Sequence, residues 1–85
     1  MREINVAESY KELLNSEITD EVKFADEVNA VYQFSEHRQS FVPMTQKRKE
    51  YDALMQLLDK FPFLKMEFSD DVLKVVYKER VNVDA

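Results

Sequence analysis

Hydrophobic and polar residues alternate from Met66 to Ser69 in the C-terminal part of the chain. The acidic pair Asp70–Asp71 ends this alternation, and the six residues that follow, Val72–Tyr77, are apolar except for Lys74. Two short strand-like segments on either side of a polar turn are typical of a β-hairpin. The sequence therefore predicts a hairpin over residues 66–77, with a second strand that is apolar on both faces.

A second stretch, Val22–Tyr32, has the same pattern 44 positions earlier in the chain. Four residue types coincide: Phe24 with Phe68, Asp26 with Asp70, Val28 with Val72, and Val31 with Val75. Each stretch also follows a helix-like segment, SYKELL at residues 9–14 and EYDALM at residues 50–55. This internal repeat predicts a second hairpin over residues 22–34 and two similar halves, at about residues 1–36 and 37–80.

The first helix is predicted directly after Asn5. Asn5 is a good N-cap residue, and Glu8 three residues later fits a variant of the capping box. The apolar residues then recur at helical spacing. They are Val6, Tyr10, Leu13 and Leu14.

The second helix is predicted between Thr45, as its cap, and Pro62, which ends it. Its apolar residues give the cleanest helical spacing in the chain. They are Tyr51, Leu54, Met55 and Leu58.

The segment Glu17–Phe34 also fits a helix. Read in that way, Ile18, Val22, Ala25, Val28 and Tyr32 fall roughly on one face. Periodicity does not decide between the helix and the hairpin. The similarity to Met66–Tyr77 favours the hairpin, and the helix is the alternative.

Together these elements predict one α+β domain over residues 1–85. We expect a two-layer, pseudo-twofold (β)αββ–βαββ arrangement, with both helices on one face of a mainly antiparallel sheet. Residues 2–6 would be the short first strand, residues 40–44 an edge strand, and residues 81–85 a polar tail. In the alternative, residues 18–36 are a third helix, followed by a helix and the C-terminal hairpin.

The composition excludes most kinds of catalytic site. The chain has no cysteine, no glycine and a single histidine, His37. Thiolate nucleophiles, zinc–thiolate sites and glycine-rich phosphate loops are therefore ruled out. We expect a protein that is not an enzyme and that needs no cofactor or metal. The pairs Asp26–Glu27 and Asp70–Asp71 fit turns better than metal sites.

The sequence also bears on location. It has no apolar run of the roughly 20 residues that cross a membrane, and its polar N-terminus lacks a signal-peptide core. We therefore expect a cytoplasmic protein without membrane contact, located in the host cytoplasm if it is viral.

Negative charge is concentrated in the first half of the chain. The net charge is −5, but residues 1–36 contain nine acidic and three basic residues. Such a surface favours a basic protein partner, and its carboxylates could imitate a row of phosphates. The leading hypothesis is a small protein-binding module that acts as a phage-type inhibitor or modulator of a nucleic-acid-handling protein. The residues predicted to bind are Glu17, Asp20, Glu21, Asp26 and Glu27.

Basic residues suggest a different surface. An anion could bind near the start of the second helix, at Arg38, Lys47, Arg48 and Lys49. The alternative function is nucleic-acid binding by this helix start and by an open, lysine-rich sheet face. That face would contain Lys23, Asn29, Gln33, Lys65, Glu67, Lys74 and Lys78.

The strand from Val72 to Tyr77 is apolar on both faces. A strand of this kind is usually interior to a sheet or covered by a partner. The strand is therefore either the centre of the sheet or a place where another chain docks, and in the second case Val72 and Val76 would be the contact residues of a homodimer.

Overall fold

The structure, a computed structural model, describes residues 5–38 and 41–79. Three helices are followed by one antiparallel hairpin in these parts of the chain. The elements are α1 (Val6–Leu14), α2 (Glu21–His37), α3 (Met44–Lys60), β1 (Leu64–Ser69) and β2 (Val72–Tyr77). The predicted α+β class is confirmed. The predicted tail, residues 81–85, and residues 2–4 of the predicted first strand lie outside the described residues. The prediction is wrong for the last two residues of that strand, since Asn5 caps α1 and Val6 is helical.

The predicted first hairpin is wrong, because residues 21–37 form the single helix α2. The helix begins after Asp20, whose side chain accepts a hydrogen bond from the backbone N–H of Lys23 at 3.1 Å. This bond satisfies one of the amide groups left free at a helix start. The pseudo-twofold repeat is therefore absent from the structure, and the alternative with a third helix is confirmed.

Helix α1 forms as predicted. Asn5 is its N-cap and accepts a hydrogen bond from the backbone N–H of Glu8 at 3.1 Å. Val6 and Tyr10 are fully buried, and α1 packs mainly against α3. At the other end, the ammonium of Lys60 donates to the carbonyl of Leu14 at 2.8 Å and satisfies one of the last free carbonyls of α1.

Helix α3 begins at Met44, earlier than predicted, so Thr45 lies inside its first turn. The predicted edge strand over residues 40–44 is wrong, since Phe41 and Val42 form a tight turn before Pro43 and Met44 is helical. Residue 40 lies outside the described parts. Proline suits a helix start, because it fixes φ and its missing N–H would be unpaired there.

The C-terminal hairpin forms as predicted. Its register pairs Leu64 with Tyr77 and Ser69 with Val72, so the connecting loop is Asp70–Asp71. Both loop residues have positive φ, 52° and 62°. This is the signature of a type I′ turn, whose twist matches that of the two strands.

The core lies where the three helices meet the base of the hairpin. Helix α2 packs mainly on β2, and α1 packs mainly on α3 and also contacts α2. Aromatic rings close the base of the hairpin, with Phe24 edge-on to Phe61 at 5.0 Å and Phe63 tilted on Tyr77 at 6.2 Å. The buried residues of the core are Val6, Tyr10, Phe24, Ala25, Val28, Tyr32, Ala53, Leu54, Leu57, Phe63, Leu64 and Val75.

Candidate functional site

A groove formed by α1, the loop after it and α2 is lined by four acidic side chains. Two adjoining concavities, of about 280 and about 130 Å³, share Ser16 and Glu27. Their acidic rim is formed by Glu12, Glu17, Asp20 and Glu27, all exposed. We call this feature the acidic groove.

The floor of the acidic groove is apolar. Leu13 and Val31 line one end, and Ile18 and Phe24 line the other. Leu13, Ile18 and Val31 are half-buried and pack on the core, so the floor is continuous with the core. Apolar surface inside a charged rim is a common arrangement at binding sites.

Within the described residues, none of the four rim carboxylates forms an ion pair. Asp20 caps α2, and Lys23 is the single cation among the described residues that line the groove. The four carboxylates repel one another, and no ion pair within the described residues neutralises them. The rim can therefore accept a positively charged partner.

The structure brings together part of the predicted acidic face. Glu17, Asp20 and Glu27 line the groove, whereas Asp26 is exposed on α2 outside it and Glu21 is half-buried and already engaged. Glu12 belongs to the rim but was not among the predicted binding residues. Its position depends on how α1 crosses α2, which the local sequence does not specify.

A buried carboxylate joins α2 to α3. Glu50 is only 4% exposed. One of its oxygens accepts from the hydroxyl of Ser35 at 2.8 Å, and the other from Arg38 Nη2 and Gln46 Nε2, both at 3.2 Å. Buried charge is tolerated only when it is paired and hydrogen-bonded in this way. We therefore assign Glu50 a structural role.

Sequence reasoning missed Glu50. The predicted stripe contained Tyr51, which is 59% exposed, whereas the buried row is Glu50, Ala53, Leu54 and Leu57. The signal available in the sequence was that this row also has the spacing i, i+3, i+4, i+7. It was hidden because its first member is charged.

The predicted anion site is not assembled on one surface. Arg38 is held by Glu50 and lies over the ring of Phe34 at 5.0 Å, so its charge is already compensated. Lys47 is half-buried beside Glu50, whereas Arg48 and Lys49 are exposed. Anion binding by Lys47, Arg48 and Lys49 stays a prediction.

Two tyrosines lie next to Glu50 around a small cavity of about 50 Å³. Burial, together with the charge of Glu50, raises the pKa of the Tyr10 hydroxyl well above its ordinary value. Burial and the neighbouring carboxylate of Glu36 raise the pKa of Tyr32 to about 12. A cavity of this size holds about one or two water molecules rather than an organic ligand.

The predicted lysine-rich sheet face is wrong in part, since Lys23, Asn29 and Gln33 lie on α2. Lys65, Lys74 and Lys78 remain on the hairpin, together with Glu67.

The outer edge of β2 is covered by α2. The side chain of Gln33 donates to the carbonyl of Leu73, and that of Asn29 accepts from the N–H of Val75, both at 2.9 Å. Strand pairing along this edge would break both bonds. The predicted dimer residues Val72 and Val76 lie on the opposite face from Val75, exposed and half-buried respectively. A dimer through their side chains stays a prediction.

Residues 5–38 and 41–79 contain neither a candidate metal site nor a candidate membrane-spanning helix. No cluster of three histidine or acidic residues there could hold a metal ion. No helix there is long and apolar enough to cross a membrane. No family model, curated protein or solved structure matches the chain at a significant level.

Proposed function

We propose that this chain is a small acidic protein-binding module, and that its acidic groove binds a basic, amphipathic segment of another protein. The observation that carries the proposal is the combination of an apolar floor with four carboxylates at its rim that form no ion pair with any described residue. A partner segment would place apolar side chains on Leu13 and Val31 and direct lysine or arginine residues to the rim.

The charge of the chain supports this choice of partner. The net charge is −5, so a basic surface is attracted before contact and a nucleic acid is repelled. Electrostatic complementarity of this kind raises the association rate and makes it sensitive to salt.

We further propose that binding modulates or inhibits the partner. A basic surface that accepts a row of carboxylates is one that also accepts phosphates. A nucleic-acid-handling protein bound in this way would be blocked by competition for the same surface.

The test uses a synthetic amphipathic peptide of lysine and leucine and a scrambled peptide of the same composition. Binding is followed by calorimetry and by NMR shifts of the wild-type chain. We expect the amphipathic peptide to shift the NMR signals of Leu13 and Val31. We also expect it to bind more tightly at low salt than at high salt.

Two variants with the same change in net charge separate the groove from general attraction. The groove variant is E12Q/E17Q/D20N/E27Q, in which asparagine preserves the cap of α2. The control is D26N/D52N/D59N/E79Q, at exposed positions elsewhere. We expect the groove variant to lose at least about tenfold in affinity, which is about 1.4 kcal/mol, and the control to lose much less. Equal losses in the two variants would overturn the proposal.

The competition step has its own test. Proteins captured from a lysate by the wild-type chain, but not by the groove variant, are challenged with duplex DNA. Displacement by DNA supports inhibition by mimicry. If the chain itself shifts DNA in a gel and captures no protein in this way, the nucleic-acid-binding alternative replaces the proposal.

A further inference from the structure

Along each strand of the hairpin, the backbone N–H and C=O groups of successive residues point alternately towards the other strand and away from it. The N–H of Lys78 donates to the carbonyl of Phe63, which makes this a hydrogen-bonded pair of the ladder. Because such pairs alternate along antiparallel strands, Lys65, Glu67 and Ser69 also point their backbone groups at β2. Those of Leu64, Met66 and Phe68 must point away from it.

The outer edge of β1 is open, in contrast to that of β2. Leu64 uses its N–H in a bond to the carbonyl of Phe61. The carbonyl of Leu64 and both backbone groups of Met66 and Phe68 form no hydrogen bond in the described parts of the chain. A strand edge in this state is ready to pair with another strand.

We propose that β1 pairs with β1 of a second copy of this chain, in an antiparallel arrangement centred on Met66. The two hairpins would then form a continuous four-stranded sheet. Met66 would exchange two hydrogen bonds with its counterpart. Each Phe68 N–H would donate to the Leu64 carbonyl of the other copy, giving four backbone bonds in total.

The charges of β1 select this register. With Met66 opposite Met66, each Lys65 lies opposite Glu67 of the other copy, which gives two attractive cross-strand pairs. Shifting the register by two residues in one direction places Lys65 opposite Lys65, and in the other direction places Glu67 opposite Glu67. Both shifts replace attraction by repulsion.

The apolar face of β1 gives a second reason for pairing. Phe68 is 69% exposed although it lies on the same face as buried Leu64. In the dimer it lies beside Leu64 of the other copy, so part of this apolar surface is removed from water. The acidic groove is not used, so the dimer and the proposed partner site can fail independently.

The decisive test mixes two charge variants. K65E carries two acidic residues on this edge and E67K carries two basic ones, so each should repel itself, while a K65E–E67K heterodimer has two attractive pairs. Sedimentation velocity of each variant alone and of the mixture measures this. We expect wild-type chains to dimerise as concentration rises, each single variant to weaken self-association by at least about tenfold, and the mixture to restore it.

The mixture excludes effects inside one chain. Within one strand, Lys65 Nζ lies 3.7 Å from Glu67 Oε1, and both side chains are exposed. Both variants lose this ion pair, so its loss cannot explain why association is restored in the mixture. The control mixture is K49E with D59K, which has the same net charges at exposed positions on α3. It should associate no better than its separate components.

A backbone variant tests the hydrogen bonds directly. Met66→Pro removes an outward N–H and leaves the ladder to β2 intact, whereas Met66→Ala removes a similar amount of side chain and keeps the N–H. We expect the proline variant to be monomeric and the alanine variant to dimerise. A wild-type chain that stays monomeric at all concentrations would overturn the proposal, as would a dimer indifferent to both the proline and the charge variants.

Discussion

At the scale of single residues, the chemistry of this chain is concentrated around one buried carboxylate. Glu50 accepts three hydrogen bonds, from Ser35 in α2, from Arg38 directly after α2 and from Gln46 in α3. Tyr10 and Tyr32 line the same small cavity. The tyrosines keep their protons because an ionised phenol would be buried beside a carboxylate. This environment has a measurable consequence at alkaline pH.

We predict that stability falls as pH rises above about 10. Both tyrosines have a pKa above the ordinary value of 10.0 in the folded chain. The unfolded chain therefore releases their protons first, so their contribution is fully present below pH 10 and is lost as pH rises towards the folded pKa. Each tyrosine contributes at most about 1.4 kcal/mol per pH unit.

Urea unfolding between pH 8 and about 12 measures this slope. Lysine also titrates there, so the comparison is between the wild-type chain and Tyr10→Phe/Tyr32→Phe, which keeps both rings. We expect a shallower loss of stability in the double variant. The same slope in both chains would contradict the prediction.

At the scale of elements, the segments with one contact face were predictable and the segment with several was not. Helix α1 and the C-terminal hairpin each bury one face, so their caps, period and turn identify them. Helix α2 meets the core through Ala25 and Val28, the acidic groove through Val31, and β2 through Asn29. Its apolar residues are therefore spread around the helix, and the pattern does not distinguish it from a strand.

The internal repeat was a coincidence of residue types. Asp70 lies in the hairpin turn, whereas its counterpart Asp26 lies within α2. Phe68 is exposed, whereas its counterpart Phe24 is buried. The acidic groove could be predicted only as a charged region, because its assembly depends on the crossing of α1 and α2.

The turn between the strands is an element that can be improved. Asp70 and Asp71 both have positive φ, a region that costs most residues about 1–2 kcal/mol, Asp somewhat less, and glycine nothing. We predict that Asp71→Gly stabilises the chain by about 0.5–1 kcal/mol, measured by urea unfolding. Asp71→Ala is the matched control and should destabilise it. Stabilisation by alanine as well would show that removal of negative charge, rather than turn geometry, is responsible.

At the scale of the whole molecule, two amide side chains join the helices to the hairpin. Asn29 and Gln33 satisfy Val75 and Leu73 along the outer edge of β2. Isolated two-stranded hairpins are marginal in water, so this one depends on α2 and on the core beneath it. The hairpin should therefore unfold together with the helices in the wild-type chain.

We predict that Asn29→Ala/Gln33→Ala separates the two transitions. It leaves the N–H of Val75, a residue only 3% exposed, without its partner, which costs about 1–3 kcal/mol. Because this cost falls on the hairpin, the NMR signals of β1 and β2 should be lost at a lower temperature than the helical circular dichroism signal. The control is Asn29→Asp, which keeps an oxygen acceptor for Val75 and should preserve one cooperative transition. Coincident transitions in the double variant would mean that the aromatic contacts at the hairpin base couple the two parts without the amides.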